Sequence, residues 1–316
     1  MRALVVVNPV ATSTTAKMRD VIVGALGSRL KVDLVETSHR GHAQELGARA
    51  AAEGIDLVVA VGGDGTVNEV VNGILERGPH PEQPMLAVVP GGSTNVFSRA
   101  LGRSRDPVEA TAEILDSLRA GQTRLISLGT AAAEGPEGWS AERWFVFSAG
   151  LGFDAEVIER VEARRAAGRR STGALYVREA TKAFLLGRDR RHPAMSLQSP
   201  GSPPLPGLFL CLVSNVSPWS YLGDRPVNPS PEASFDGGLD VFAMGRVGTL
   251  RMISTVRRTI TAGPAPRGRR VFHRHDVDAL TLTADRPLGW QADGDHLGTT
   301  TALRIRHVPA ALRIVA

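Results

Sequence analysis

The chain opens on an apolar run, Ala3–Val7, that stops at Asn8-Pro9. Residues 15–29 then place apolar positions at helical spacing, and Val32–Glu36 reads as a strand. Ala43–Glu53 is an alanine-rich helical segment, and Leu57–Val61 is a continuous apolar run of the kind a buried strand needs. Val67–Leu75 predicts a helix, Met85–Val89 a strand and Val108–Ala120 a further helix. Alternation of this kind predicts a parallel sheet with helices on both faces. In such a sheet ligands sit at the carboxyl ends of the strands. Residues 1–127 are therefore expected to form an α/β domain.

The pattern changes after about Leu125. Trp144–Ser148, Leu208–Ser214, Leu239–Met244, Ala279–Thr283 and Leu303–His307 look like strands, separated by Gly, Pro and Asp clusters. Helical spacing survives mainly in Asp154–Arg165 and Leu175–Leu186. Residues 128–307 are thus expected to form a β-rich second domain with one helical excursion. Arg188–His192, Ser199–Gly207 and Gly263–Arg270 read as exposed connectors.

A length of 316 residues fits two domains at roughly 100–200 residues each. Hydrophobic residues at 42% and charged residues at 22% exclude a disordered or fibrous chain. The single cysteine, Cys211, rules out an intrachain disulfide and fits a reducing compartment. The first residues read as a strand and not as a signal peptide. No segment approaches the roughly 18 apolar residues of a membrane-spanning helix, so a cytoplasmic protein is expected.

Charge adds a second theme. The net charge is +5. Arg160–Arg191 holds ten basic and three acidic residues, and Arg246–His275 holds eight arginines and no acid. These stretches suit an anionic membrane surface, with the protein peripheral at the inner membrane face. Leu175, Tyr176, Phe184, Leu185 and Leu186 interleave the first stretch and make it the expected docking surface. An ordinary amphipathic helix packed on the second domain explains the same residues. Nucleic acid is not expected as a partner, and the oligomeric state stays open.

The most specific motif follows the third predicted strand: Gly62-Gly63-Asp64-Gly65-Thr66, then Asn68-Glu69 at a helix start. Glycines let backbone N–H groups approach a ligand, and a helix N-terminus attracts phosphate. Asp64 carries the wrong sign to touch phosphate, and fits if a magnesium ion lies between them. It also reads as a helix cap on a tight turn. A second glycine turn, Pro90-Gly91-Gly92-Ser93-Thr94-Asn95, follows the next strand, and Asn8 and Thr37 end strands at the same edge. No P-loop is present. Gly150-Leu151-Gly152-Phe153-Asp154-Ala155 matches a dinucleotide fingerprint without its downstream acid, so a close-packed turn is expected there. His273 and His275 read as alternating solvent-facing residues, not as a metal pair.

These two turns resemble the diacylglycerol kinase catalytic-domain family, which includes bacterial soluble diacylglycerol kinases and sphingosine kinases. Ser148–Ala155, Asp236-Gly237-Gly238-Leu239-Asp240 and Ala292-Asp293-Gly294-Asp295 resemble it too, in the same order, so the likeness spans almost the whole chain. The resemblance implies an N-terminal domain like that of phosphofructokinases and NAD kinases and a β-sandwich second domain, with ATP in the cleft between them. It also implies that residues 308–316 return to the first domain.

The function implied is an ATP- and Mg2+-dependent kinase acting on the hydroxyl of a membrane lipid, diacylglycerol or a sphingosine-like molecule. By resemblance Gly62, Gly63, Gly65 and Thr66 hold the phosphates. Asn8, Thr37, Asp64, Glu69, Gly92, Ser93 and Asn95 complete the nucleotide site. Asp236, with carbonyls near Ala233 and Gly238, is tied to magnesium, as is Asp64. Asp154 and Glu156 face the lipid headgroup, although acids also favour a helix's first turn. The family's general base is a Glu in an Asp-Gly-Glu motif, and here Asp295 takes that place with one methylene less reach. The motif also reads as a plain Asp-Gly turn. The rival readings are an NAD kinase, which shares the first glycine turn, and a non-catalytic lipid- or nucleotide-binding homologue.

Overall fold

The computed structural model describes residues 1–11, 15–167, 173–186, 192–261 and 263–316. Most of the connector expected at Arg188–His192, and part of the basic stretch 160–191, therefore lie outside the described residues. The chain divides into two compact units, Met1–Leu128 with Pro309–Ala316, and Gly129–Val308.

The first unit runs β1 (Arg2–Val7), α1 (Ala16–Gly27), β2 (Lys31–Glu36), α2 (His42–Ala52), β3 (Leu57–Gly62), α3 (Asp64–Ile74), β4 (Met85–Pro90), α4 (Val96–Ala100) and α5 (Pro107–Arg119). β3 is buried along its whole length. This is the expected consequence of helices on both faces of a parallel sheet. Local chemistry sets several helix starts. Thr15 accepts the Met18 N–H to cap α1. Asp106 accepts those of Val108 and Glu109, with Pro107 at the first helical position of α5. Caps of this kind contribute about 1 kcal/mol each. The sheet order is β2-β1-β3-β4, all parallel, and Ile314 of the returning C-terminal segment pairs parallel with Leu86 of β4.

Two glycines inside helices were not singled out by pattern. A Cβ on Gly73 would fall 2.0 Å from the Gln44 carbonyl oxygen, and one on Gly47 would fall 2.5 Å from that of Val70. α2 and α3 thus pack backbone against backbone, a closeness that side chains would forbid.

The second unit contains β5 (Thr123–Gly135, shared with the first), β6 (Gly138–Trp139), β7 (Arg143–Phe145), β8 (Ser148–Gly152), α6 (Phe153–Ala166), α7 (Gly173–Leu186), β9 (Met195–Gln198), β10 (Leu205–Ser214), β11 (Ser220–Leu222), β12 (Arg225–Val227), β13 (Leu239–Gly245), α8 (Thr249–Ile260), β14 (Val271–Val277), β15 (Ala279–Ala292) and β16 (Asp295–Val315, whose end belongs to the first unit). Its sheet is antiparallel in the order β14-β13-β10-β8-β15-β16, and β9 pairs with both β10 and β15. One face gathers Leu151, Cys211, Val213, Val241, Leu282, Trp290, Leu303 and Ile305 into a single core. On the other face Phe153, Phe184, Phe209 and Phe242 pack with residues of α6 and α7.

Three expectations are corrected. Gly150-Leu151-Gly152 is not a turn but strand β8, paired with β10 on one side and β15 on the other. Its glycines answer crowding, since a Cβ on Gly152 would sit 2.6 Å from the Phe209 carbonyl oxygen. α4 and α8 were not expected as helices. α4 is a single short turn below pattern length. α8 buries Thr255 and Thr259 and leaves Leu250 outside, the inverse of the pattern sought.

Candidate functional site

The strand ends of the first unit form one edge. The Thr37 N–H donates to the Val7 carbonyl at 2.8 Å, that of Asn8 to Val61 at 3.0 Å and that of Gly91 to Gly62 at 2.8 Å. The parallel register therefore lines up Thr37, Asn8, Gly62 and Pro90 across four adjacent strands, and the two glycine turns continue from there. The two glycine turns touch through their backbones: a Cβ on Gly92 would lie 2.7 Å from the Gly63 Cα. A side chain at Gly92 would push the turns apart.

Gly63 is the N-cap of α3 and offers no side-chain cap. The first N–H groups of that helix consequently keep the positive end of its dipole, the arrangement that favours a bound anion. No side chain stands over this turn at Gly65, where a Cβ would meet nothing within 4 Å. Ser93 is exposed on the neighbouring turn. Asn95 stands in the left-handed region (φ 49°), and its amide group bonds Gly92 twice: Oδ1 accepts the Gly92 N–H and Nδ2 donates to the Gly92 carbonyl, both at 2.8 Å. It therefore shapes the second turn from within. Asn8 Nδ2 donates to Thr66 Oγ1 at 3.1 Å, and the Thr66 hydroxyl lies buried against Gly62. At Thr66 it is the backbone, not the hydroxyl, that remains for a ligand.

Two carboxylates take roles the sequence did not predict. Asp64 accepts the Val96 N–H at 3.0 Å and the Phe97 N–H at 3.1 Å, one on each oxygen. It clamps the start of α4, and with it the second glycine turn, to the first. Burial raises its pKa, and the backbone N–H groups of Val96, Phe97 and Asn95 and the Arg99 charge oppose that rise. The expected metal-facing Asp64 is thus a brace between the turns. Glu69 likewise accepts the N–H groups of Gly41 (2.9 Å) and Ala43 (3.2 Å), supplying α2 with the cap that Gly41 lacks. Each of its oxygens thus holds one N–H of that helix start.

In the second unit Asp293 and Gly294 form a two-residue turn between β15 and β16, with φ of 49° and 80°. Positive φ at both positions is what an Asp-Gly hairpin supplies. Buried Asp293 accepts N–H groups from Val146 (2.7 Å), Phe147 (2.9 Å) and Ser148 (3.0 Å). Asp295 follows at the half-buried start of β16, opposite Ala292. Sequence reasoning noticed Asp295 and missed Asp293, whose only signal was the residue preference of the turn.

Asp154 is buried in the first turn of α6, and its Oδ2 has no hydrogen-bond partner. Burial pushes its carboxyl up to about 7, against the pull of the neighbouring Gln291 amide. The same Gln291 accepts the Gly294 N–H at 3.0 Å, so Asp154 and the Asp293-Gly294 turn share a neighbour. Glu156 pairs through Oε1 with Arg160 four residues on, at 2.7 Å, a helix-surface pair. Asp236 is exposed between Ala233 and Gly238. One carboxylate and two carbonyl oxygens suit a hard cation such as magnesium. Ala233 already uses its carbonyl to accept the Ser217 N–H at 3.0 Å. Beside this loop, His275 is exposed as expected and is also bonded through Nδ1 to buried Asp240 at 2.7 Å. Asp240 raises the His275 pKa.

Because Asp154 titrates above the ordinary carboxylate range, the folded state holds its proton more tightly than the unfolded chain does. The cost of its charge therefore appears as pH rises past about 4 and is complete above about 7. Asp154→Asn is expected to stabilise the protein by up to about 4 kcal/mol at pH 8, at 1.36 kcal/mol per pKa unit, and by almost nothing at pH 4. Thermal melts at the two pH values check this, and an equal Tm difference at both would sink it.

Residues 2–131 match the diacylglycerol kinase catalytic domain family. A diacylglycerol kinase of Bacillus subtilis is 42% identical over 93 residues, 29% of each chain. One of Staphylococcus saprophyticus is 33% identical over 117 residues, 36% of this chain and 37% of that one. The matches thus span about a third of these relatives. A crystal structure of a diacylglycerol kinase from Bacillus anthracis superimposes with a TM-score of 0.70 at 20% identity, covering 99% of this chain and 96% of that one. An NAD kinase from Archaeoglobus fulgidus in complex with ATP reaches 0.52 at 13% identity, covering 100% and 94%. At such identities the likeness is one of fold, and the expected relation to both fold families holds. Over residues 2–131 the chain is thus similar to the diacylglycerol kinase catalytic domain family, and over nearly its whole length it shares the fold of a solved diacylglycerol kinase.

Proposed function

We propose that the protein is a lipid kinase that transfers the γ-phosphate of ATP to the hydroxyl of a membrane lipid, diacylglycerol or a sphingosine-like molecule. The observation that carries this reading is the pair of glycine turns, held in backbone contact at one sheet edge with an uncapped helix start between them. The N–H groups of Gly63, Gly65 and Thr66 and the Ser93 hydroxyl bind phosphate, while Asn8, Asn95 and Asp64 keep the turns in place. Thr37 and Gly92 border the nucleotide.

In the second unit Asp295 accepts the hydroxyl proton and Asp154 orients the acceptor. Phosphoryl transfer asks for little else beyond positioning and charge neutralisation. Magnesium, held by Asp236 and carbonyls near Ala233 and Gly238, neutralises phosphate charge when bound. The relatives named as diacylglycerol kinases support the reaction class.

The test is phosphorylation by the purified protein with labelled ATP against diacylglycerol, long-chain bases and NAD, read by mass. Phosphorylated lipid and unmodified NAD are expected. NAD phosphate as the product, or ATP binding with no phosphorylated product across the panel, overturns the proposal.

A further inference from the structure

Helix α8 packs Met252 inward but turns three apolar residues outward. Leu250 is 86% exposed, Ile253 60% and Val256 44%, while Thr255 and Thr259 lie buried beneath. Those two hydroxyls donate to the carbonyls of Arg251 (2.9 Å) and Val256 (2.7 Å), so the inward polar side is satisfied within the helix. At about 100° per residue, Leu250, Ile253 and Val256 follow one flank of the exposed surface with exposed Arg257 among them, and Arg251 and Arg258 follow the other. The Arg251 guanidinium donates to the Arg269 carbonyl at 3.2 Å and that of Arg258 to the Arg267 carbonyl at 3.1 Å. These bonds lay the segment carrying Arg267, Arg269 and Arg270 along the basic flank.

We infer that α8 and its arginine flank dock the second unit onto an anionic lipid surface, with Leu250 and Ile253 entering the acyl boundary and the arginines meeting headgroup phosphates. An apolar stripe beside a basic one is the pattern of an interfacial helix. The charge fits that occupant: eight arginines and no acid stand between Arg246 and His275. A second copy of the chain would bring the same positive surface against itself. Nucleic acid fits poorly too, because residues 246–270 contain no aromatic side chain on which a base could stack.

The sequence favoured the stretch 160–191 instead, and several of its arginines lie outside the described residues. There Arg160 pairs with Glu156, while Arg164, Arg178 and Lys182 converge on Glu179 at 3.7–3.9 Å. The inference rests on the lipid-kinase reading for its purpose alone.

The experiment is co-sedimentation of the full chain, without ATP, with vesicles of phosphatidylcholine containing phosphatidylglycerol. Binding is expected to weaken at least tenfold in Leu250→Glu/Ile253→Glu and about fivefold per charge removed in Arg257→Gln, and to fall as salt rises from 0.1 M to 0.5 M. Wild-type binding equal to that of either variant, equal binding to vesicles lacking the anionic lipid, or a variant that changes only self-association overturns the inference. Phosphorylation of a short-chain, water-soluble diacylglycerol is measured in parallel. Its absence in wild type overturns the kinase reading and leaves the docking result standing.

Discussion

Asp295→Asn is expected to lower phosphoryl-transfer turnover by about 10²–10⁴-fold and to leave ATP affinity nearly intact, the usual worth of a positioned general base. The geometry makes the expectation specific. Asp295 opens β16 immediately after a turn whose two central residues both hold positive φ, and it stands opposite Ala292 in the hairpin. Three N–H bonds to Asp293 fix that turn to the Val146–Ser148 segment, so little freedom remains for the Asp295 backbone to drift. Asn keeps the size and loses the proton-accepting charge. Steady-state turnover with the preferred lipid, alongside ATP binding by calorimetry, reads the two quantities separately. Unchanged turnover would remove Asp295 from the mechanism and leave Asp154 as the carboxylate to test.

The second large effect is on stability. Asp293→Ala is expected to cost about 3–5 kcal/mol of unfolding free energy. The carboxylate accepts three buried N–H groups, and a bond to a charged acceptor is worth about 1.5–3 kcal/mol before non-additivity is counted. Ala also fits the left-handed backbone at this position poorly, whereas Asn tolerates it. Asp293→Asn is therefore expected to cost less, since it keeps one acceptor oxygen and turns its NH2 group toward donors. Urea unfolding measures both variants. A loss under about 1 kcal/mol for Ala would show that the three bonds contribute little net stability.

The site was legible in the sequence where function depends on backbone. Glycine spacing after β3 and β4 predicted both turns because the room for close backbone approach is a property of the residue itself. Side-chain partners were less legible. Asp64 and Glu69 were read as facing a ligand, yet each caps a helix that begins elsewhere in the chain, 32 and 28 residues away. Asp154 could be picked out only by its motif, because the burial that raises its pKa comes from strands distant in sequence. The exposed apolar flank of α8 was missed because composition records that leucine, isoleucine and arginine are present, not which of them faces water.

The sequence by itself determined the alternation of strands and helices, the parallel sheet of the first unit, the β-rich character of the second and the two turns at the strand ends. All of these follow from local periodicity and from what single residues allow their own backbone. Only the tertiary structure decided which carboxylates are braces, that Gly47 and Gly73 let two helices meet backbone to backbone, and that α8 leaves Leu250, Ile253 and Val256 on its outer side. Those outcomes depend on contacts between segments far apart in the chain, and on the cost of leaving a buried N–H or a buried charge without a partner.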